Sequence, residues 1–352
     1  MAKSEEKKTD WGLIILALSI GVSVACYIGK APPAIPSIRS DLSISLITAG
    51  WIVSIFSAMG ATTGIIAGIF ADRVGRVKII IFALAIISCG SILGANSNST
   101  FLLLFSRLIE GAGYIGTMVV MPAVIAEFAT RKDRALAVSL WSSVTPIGMV
   151  IGMLLAPTII EDFGWRTLWL ATGVITVGFL LLSFLIFLKT KHKISKTKLA
   201  LWVNIRKTIQ TPGPWLISIC FMTYTFQWMA VMVWLPTYAI EQRGLNLNYS
   251  AGLAATAVAI NIFGNLFGTW LIHRGVSHWL LISIGTFVMG ISSLFIFSEI
   301  IPDHLRFISV LIFSFFGALQ PSAIMANMPL QSPSRDQLAF TNGIVYQGSQ
   351  AG

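Results

Sequence analysis

The chain has 352 residues, of which 55% are hydrophobic and only 11% charged, with a net charge of +10. Soluble globular domains carry about 25% charged residues, so this composition excludes an ordinary water-exposed surface and belongs to a membrane protein. The basic excess does not mark a nucleic-acid face, because its lysines and arginines fall in short, separated segments.

A polar, mixed-charge start, MAKSEEKKTD, leads into an apolar run with no small-residue cleavage site, so a retained first helix is expected instead of a signal peptide. Crossing the hydrocarbon core takes about 20 apolar residues. Runs of that order are predicted at Trp11–Gly29, Leu42–Ala71, Ile79–Ser106, Gly111–Ala126, Ala135–Ile160 and Thr167–Leu188. After a basic stretch they continue at Thr208–Ile240, Gly244–Ile272, Gly275–Ser298 and Phe307–Ser334, and another begins near Gln337. The fold class expected is an all-α membrane protein of two six-helix bundles, the second incomplete. Residues 1–188 form the first bundle, 189–207 a basic cytoplasmic linker, and 208–352 the second bundle, with four complete helices and the start of a fifth.

Lysine and arginine placement sets the orientation. With the N-terminus in the cytoplasm, the cytoplasmic segments hold 18 of the 24 basic residues and the outer loops four: Arg39, Arg166, Arg243 and Arg306. Lys30 and Arg107 fall inside or beside helices. A multi-pass protein of a bacterial-type inner membrane is expected, with the lipid bilayer as its surroundings. A shift of about 202 residues lays SLITAG (45–50) over LNYSAG (247–252) and brings Pro33 within one position of Pro236, an internal repeat that divides the chain at the linker. On that repeat the sequence stops where a further helix would continue, and a fragment or truncated product is expected.

Enzyme chemistry finds no support. His192, His273, His278 and His304 fall in loops or at helix ends without pairing, and no nucleophile elbow, phosphate loop or metal-ligand spacing is present. Cys26, Cys89 and Cys220 sit in apolar runs and read as core residues. No cofactor and no metal are expected.

Gly60–Lys78, GATTGIIAGIFADRVGRVK, ends an apolar run in a tight charged turn. Its G-x-x-x-D-R-x-G-R pattern, carried by Gly68, Asp72, Arg73, Gly75 and Arg76, resembles the loop signature between helices two and three of the major facilitator superfamily. The resemblance implies a fold of two related bundles and a cytoplasmic latch, in which Asp72 braces the halves and Arg73, Arg76 and the segment from Glu127 to Arg131 complete the contact. Asp72 is expected near a helix N-terminus, where the dipole favours a carboxylate by about 0.3–1 kcal/mol. The same residues also serve as orientation signals.

LLLFSRLIEGAGY (102–114) resembles the superfamily's R-x-x-x-G-x-G motif through Arg107, Gly111 and Gly113. A buried charge costs at least about 2.5–3.5 kcal/mol on insertion scales, so Arg107 must be paired or face water. Glu110, three residues on, can pair with it. The pair is either structural or a cavity-edge cation for substrate binding or coupling, with Tyr114 beside it. In CYIGKAPPAIPSIRSDL, Lys30 (with Tyr27 close by) either snorkels to the outer interface or lies inside the bundle if helix one continues to about Ile38. That segment, together with 122–157 and 226–246, looks like the cyanate, nitrate and nitroimidazole type permeases, which usually carry Arg where this chain has Lys30. TPIGMVIG (145–152) departs from the helix-five signature of drug antiporters.

Neutral polar groups mark the second half: Gln227 and Trp228 in its first run, Asn261 and Asn265 on one face of the next, and Gln320 in the fourth. They either tie helices together or wall a cavity with hydrogen-bond donors. The function expected is a secondary transporter working by alternating access on a small anion or small polar solute. Lys30, Tyr27, Arg107, Tyr114, Gln227, Trp228, Asn261, Asn265 and Gln320 are its binding candidates. The alternative is proton-coupled efflux of drugs or metabolites, with Glu110 carrying the proton.

Overall fold

The computed structural model describes residues 8–130, 132–133, 137, 140–187, 208–333 and 338–352, with side chains at 65–74, 142, 187, 329, 338–340 and 342 excepted. The linker expected at 189–207 lies outside the described residues. In chain order the helices are α1 (Trp11–Gly29), α2 (Ala31–Leu42), α3 (Leu46–Val74), α4 (Arg76–Ala95), α5 (Thr100–Phe128) and α6 (Val144–Phe187). Then follow α7 (Pro212–Arg243), α8 (Leu247–His273), α9 (His278–Ile296), α10 (Asp303–Gly317), α11 (Leu319–Gln331) and α12 (Leu338–Ala351). Helices are the natural outcome for such runs, because each satisfies its backbone internally where lipid offers no partner. Nine segments among the described residues are long and apolar enough to cross a membrane. One of them, α6, is long enough to cross twice.

Four local features place the functional side chains. First, α1 runs into α2 through Lys30, which keeps right-handed helical angles (φ −69, ψ −28). Pro32 and Pro33 fall in the first turn of α2, where a missing N–H costs little. The helix therefore continues past Ile38, and Lys30 is interior. Second, α4 and α5 are separated at 96–99, where Ser99 caps α5 by accepting from Leu102 N. The expected apolar run Ile79–Ser106 thus spans two helices, since short Asn-Ser turns barely dent a hydropathy average. Arg107 consequently sits two turns inside α5, about 10 Å from its start. Third, α6 is broken by Gly164 (φ 78, ψ 164) into two crossings. Fourth, Gly75 (φ 107) alone joins α3 to α4. That short turn leaves Asp72 in the last turn of α3, at the negative end of its own helix.

In the first half, α1 packs on α6, α3 and α4 on α5, and α4 on α6; in the second, α8 and α9 pack on α10, and α7 on α12. Between the halves, α3 lies on α12, α6 on α8, and α2 on α7. Under the 202-residue shift α3 maps onto α8 and the first leg of α6 onto α12. The α3–α12 and α8–α6 contacts are therefore one contact made twice, as a two-fold relation between the halves requires.

Candidate functional site

Inside the first bundle, Lys30, Arg107 and Glu110 are all buried, at 0%, 1% and 0% exposure. Glu110 divides its oxygens between the cations: Lys30 Nζ lies 2.9 Å from Oε1 and Arg107 Nη1 2.5 Å from Oε2. Neither cation relies on Glu110 alone. Lys30 also donates to Ser91 Oγ (3.0 Å) and Thr172 Oγ1 (2.9 Å), and Arg107 donates from Nε to the Ile52 carbonyl (3.0 Å). Arg107 Nη1 further reaches the Tyr27 carbonyl at 3.3 Å. Lys30 Nζ stands 4.1 Å above the Tyr27 ring and 4.4 Å above Trp169, and the Arg107 guanidinium 4.4 Å above Phe56.

Burying charges is tolerable only with such complete pairing, and aromatic faces add to it when water is absent. The small residues of neighbouring helices make room. A Cβ at Gly90 would meet Glu110 N at 2.9 Å, and one at Gly94 would meet the Trp169 ring at 2.5 Å. Two cations against one carboxylate leave the cluster one positive charge in excess.

Tyr27 thus joins Lys30, Arg107 and Glu110 in one cluster, as its position three residues before the α1–α2 junction at Lys30 allows. Tyr114 lies a turn deeper on α5, its ring 5.1 Å from Phe56. Its hydroxyl approaches those of Thr145 on α6 and Tyr346 on α12, a polar contact between the halves. In the second half the candidates divide. Trp228 Nε1 reaches Ser314 Oγ at 3.5 Å, and Asn261 Nδ2 donates to the Ser314 carbonyl (3.0 Å) and lies 3.4 Å from Tyr224 Oη. Asn265 accepts from Ser322, and Gln320 contacts Thr286 and Met289. These side chains tie α8 to α10 and α11, and α11 to α9; Gln227 is half-buried beside Trp228.

At the face carrying the start of α4 and the end of α5, Arg76 pairs with Glu127. Arg131 lies outside the described residues, as do the side-chain surroundings of Gly68, Asp72 and Arg73. At the opposite face, among the described residues, two polar side-chain contacts join the halves: Arg39 on α2 with Glu241 on α7, and Asn248 on α8 donating to Glu161 on α6 at 2.7 Å. Arg39 and Glu241 are 202 residues apart, so they occupy repeat-related positions and carry opposite charge. Sequence reasoning missed Ser91, Trp169 and Thr172, which carry no periodic signal. The Arg39–Glu241 pair was detectable from the repeat spacing.

The profile of the Major Facilitator Superfamily matches residues 13–352. The chain belongs to the major facilitator superfamily. Among the relatives of this major facilitator chain is the putative niacin/nicotinamide transporter NiaP of Bacillus subtilis, 25% identical over 81% of this chain and 71% of NiaP. The probable sulfoacetate transporter SauU of Cupriavidus necator is 22% identical over 84% of this chain and 74% of its own length. In fold, the chain is similar to a bacterial homologue of the human lysosomal transporter Spinster in an inward-facing, occupied conformation. That likeness has a TM-score of 0.77 at 18% identity and covers 97% of this chain and 79% of the other. A D-xylose–proton symporter gives 0.71 at 14% identity, over 97% and 88%. This chain is a secondary transporter and a multi-pass membrane protein, not an enzyme.

Proposed function

We propose that this transporter moves a small anion, or a small polar solute bearing partial negative charge, across a bacterial-type inner membrane by alternating access of its two bundles. The observation that carries this is the Lys30–Glu110–Arg107 cluster, buried from solvent, whose two cations against one carboxylate leave an excess positive charge that a bound anion would balance. In low dielectric, one uncompensated charge attracts an anion far more strongly than the same charge in water. Some of the solutes in the relatives' names support it: niacin and sulfoacetate are acids, although nicotinamide and riboflavin are neutral, and the probable anion transporter 6 of Arabidopsis thaliana is 28% identical over about half of this chain. Cyanate, nitrate and nitroimidazole-like solutes belong to the same class. The charge bias of the loops supports a cytoplasmic side for the N-terminus and the Arg76–Glu127 face. Residues 1–188 and 208–352 are then the rocking units, with Arg76 and Glu127 belonging to the cytoplasmic latch.

Apparent thermal stability of the detergent-solubilised protein tests this, measured against nitrate, cyanate, nicotinate, sulfoacetate and a panel of lipophilic cations. A ligand of the folded state stabilises by RT ln(1 + [L]/Kd). Stabilisation by one of the anions, lost in Lys30→Met, is the expected result. Stabilisation by lipophilic cations alone would sink the anion proposal and favour efflux.

A further inference from the structure

We propose that Lys30, and not Glu110, is the residue that takes up and releases a coupling proton, so that each anion travels with a proton held on the Lys30 amine. This rests on the solute being the anion proposed for the same site. Both oxygens of Glu110 are occupied by separate cations. A proton on Glu110 would leave Lys30 and Arg107 facing each other, buried, with no counter-charge. The groups facing Lys30 from every packed helix offer no substitute: Cys26 and Tyr27 on α1, Ser91 on α4, Trp169 and Thr172 on α6, and Phe56 on α3 beside Arg107. None of them carries a carboxylate.

Loss of the Lys30 proton has the opposite effect. It leaves the Arg107–Glu110 pair, whose charges cancel, and a buried net charge is the costliest state for such a site. Arg107 has no part in this exchange, because a guanidinium keeps its proton in proteins. Lys30 is also placed to be stable in both forms. An amine keeps two N–H groups, which the hydroxyls of Ser91 and Thr172 accept while giving their own protons to α6 carbonyls.

A second observation points the same way. From Lys30 a line of hydroxyls follows one face of α6. Thr172 comes first; Tyr27 Oη then donates to the Thr172 carbonyl and sits 2.9 Å from Thr176 Oγ1. Ser183, about two turns farther, lies on the same face because eleven residues after Thr172 make just over three full turns. Its hydroxyl is buried and, among the described residues, has no hydrogen-bond partner. An orphaned hydroxyl in an apolar helix carries a desolvation cost, and a proton path toward the Arg76–Glu127 face gives it a use.

The balance is simple. A proton from water at one face converts the Lys30 amine to an ammonium as an anion binds beside it. At the other face both leave, the amine is regenerated, and no net charge has crossed with a monovalent anion.

Two arms test this with purified protein. The first uses no ligand and compares Glu110→Gln with Glu110→Gln/Lys30→Arg for recovery of a monodisperse peak. The single variant is expected to survive because Lys30 sheds its proton, whereas the double variant, with two fixed cations and no carboxylate, is lost. Equal recovery of the two would show that Lys30 is a permanent cation and overturn the proposal. The second arm adds nitrate, cyanate or nicotinate in weak buffer with a pH indicator and reads protons taken up per anion bound. Uptake is expected to fall from roughly one in the native protein to none in Lys30→Arg. Undiminished uptake in Lys30→Arg would assign the proton elsewhere. Failure of every anion to bind the native protein would sink the anion carrier and its coupling, while the first arm still decides whether Lys30 can be neutral.

Discussion

Replacing Gly29 with alanine is expected to push α1 away from α6 and to lower stability by up to about 2 kcal/mol. A Cβ at Gly29 would lie 2.2 Å from the Met149 carbonyl oxygen and 2.7 Å from its Cα, where ordinary contact begins near 3.4 Å. Both atoms are backbone and have no rotamer in which to escape. The helices must therefore part by about 1 Å, and overpacking of that kind costs about 1–3 kcal/mol. Better helix propensity returns up to about 1 kcal/mol, which leaves the net figure. The displacement also carries Lys30, the next residue, away from Glu110 at 2.9 Å. Gly178→Ala in the same α6 is the control, since a Cβ there meets nothing within 4 Å and propensity alone acts. Survival of the monodisperse peak after heating reads both variants, and Gly29→Ala should melt lower and Gly178→Ala no lower than the native protein. If the two melted together, close helix approach would not be what Gly29 is required for.

Gly164→Ala should cost about 1–3 kcal/mol, because φ 78 with ψ 164 is a glycine-only conformation; a melting curve beside Gly178→Ala would detect it. Arg39→Glu should destabilise the contact between the halves and Arg39→Glu/Glu241→Arg should restore it, with a coupling of about 0.2–1 kcal/mol from a double-mutant cycle, the size of a part-exposed pair. Ser183→Ala removes a buried unpartnered hydroxyl, so it should raise stability by about 1 kcal/mol while slowing anion-driven proton uptake. The Thr9 hydroxyl, bonded to Asp133 in the loop after α5, is the main cause holding that carboxyl below the usual carboxylate range. A lowered folded-state value stabilises above the unfolded carboxyl's value of about 3.9 and loses that contribution as pH falls through the lower one. Native protein should therefore lose more stability than Thr9→Val between about pH 5 and pH 3, and parallel curves would count against the bond.

Much of this molecule was legible before folding. Uninterrupted apolar runs determine that the chain crosses the bilayer as helices, because lipid leaves a backbone no other way to satisfy itself. The G-x-x-x-D-R-x-G-R turn and the 202-residue repeat point to the superfamily and its two halves, and Arg107 with Glu110 three residues on announces a pair on one helix face. What one dimension does not contain is which side chains meet from different helices. Whether Lys30 snorkels or goes inward depends on α1 running on into α2, and Pro32 and Pro33 in sequence fit either outcome. Ser91 and Thr172 look like any small residue of an apolar run until α4 and α6 bring them to the Lys30 ammonium. Asn261, Asn265 and Gln320 share faces predictable from helical spacing, yet only packing turned them onto α9, α10 and α11. Local period and composition decide the helices, because each helix satisfies its own backbone; tertiary structure decides where charge is buried, because pairing across helices sets which charges survive there.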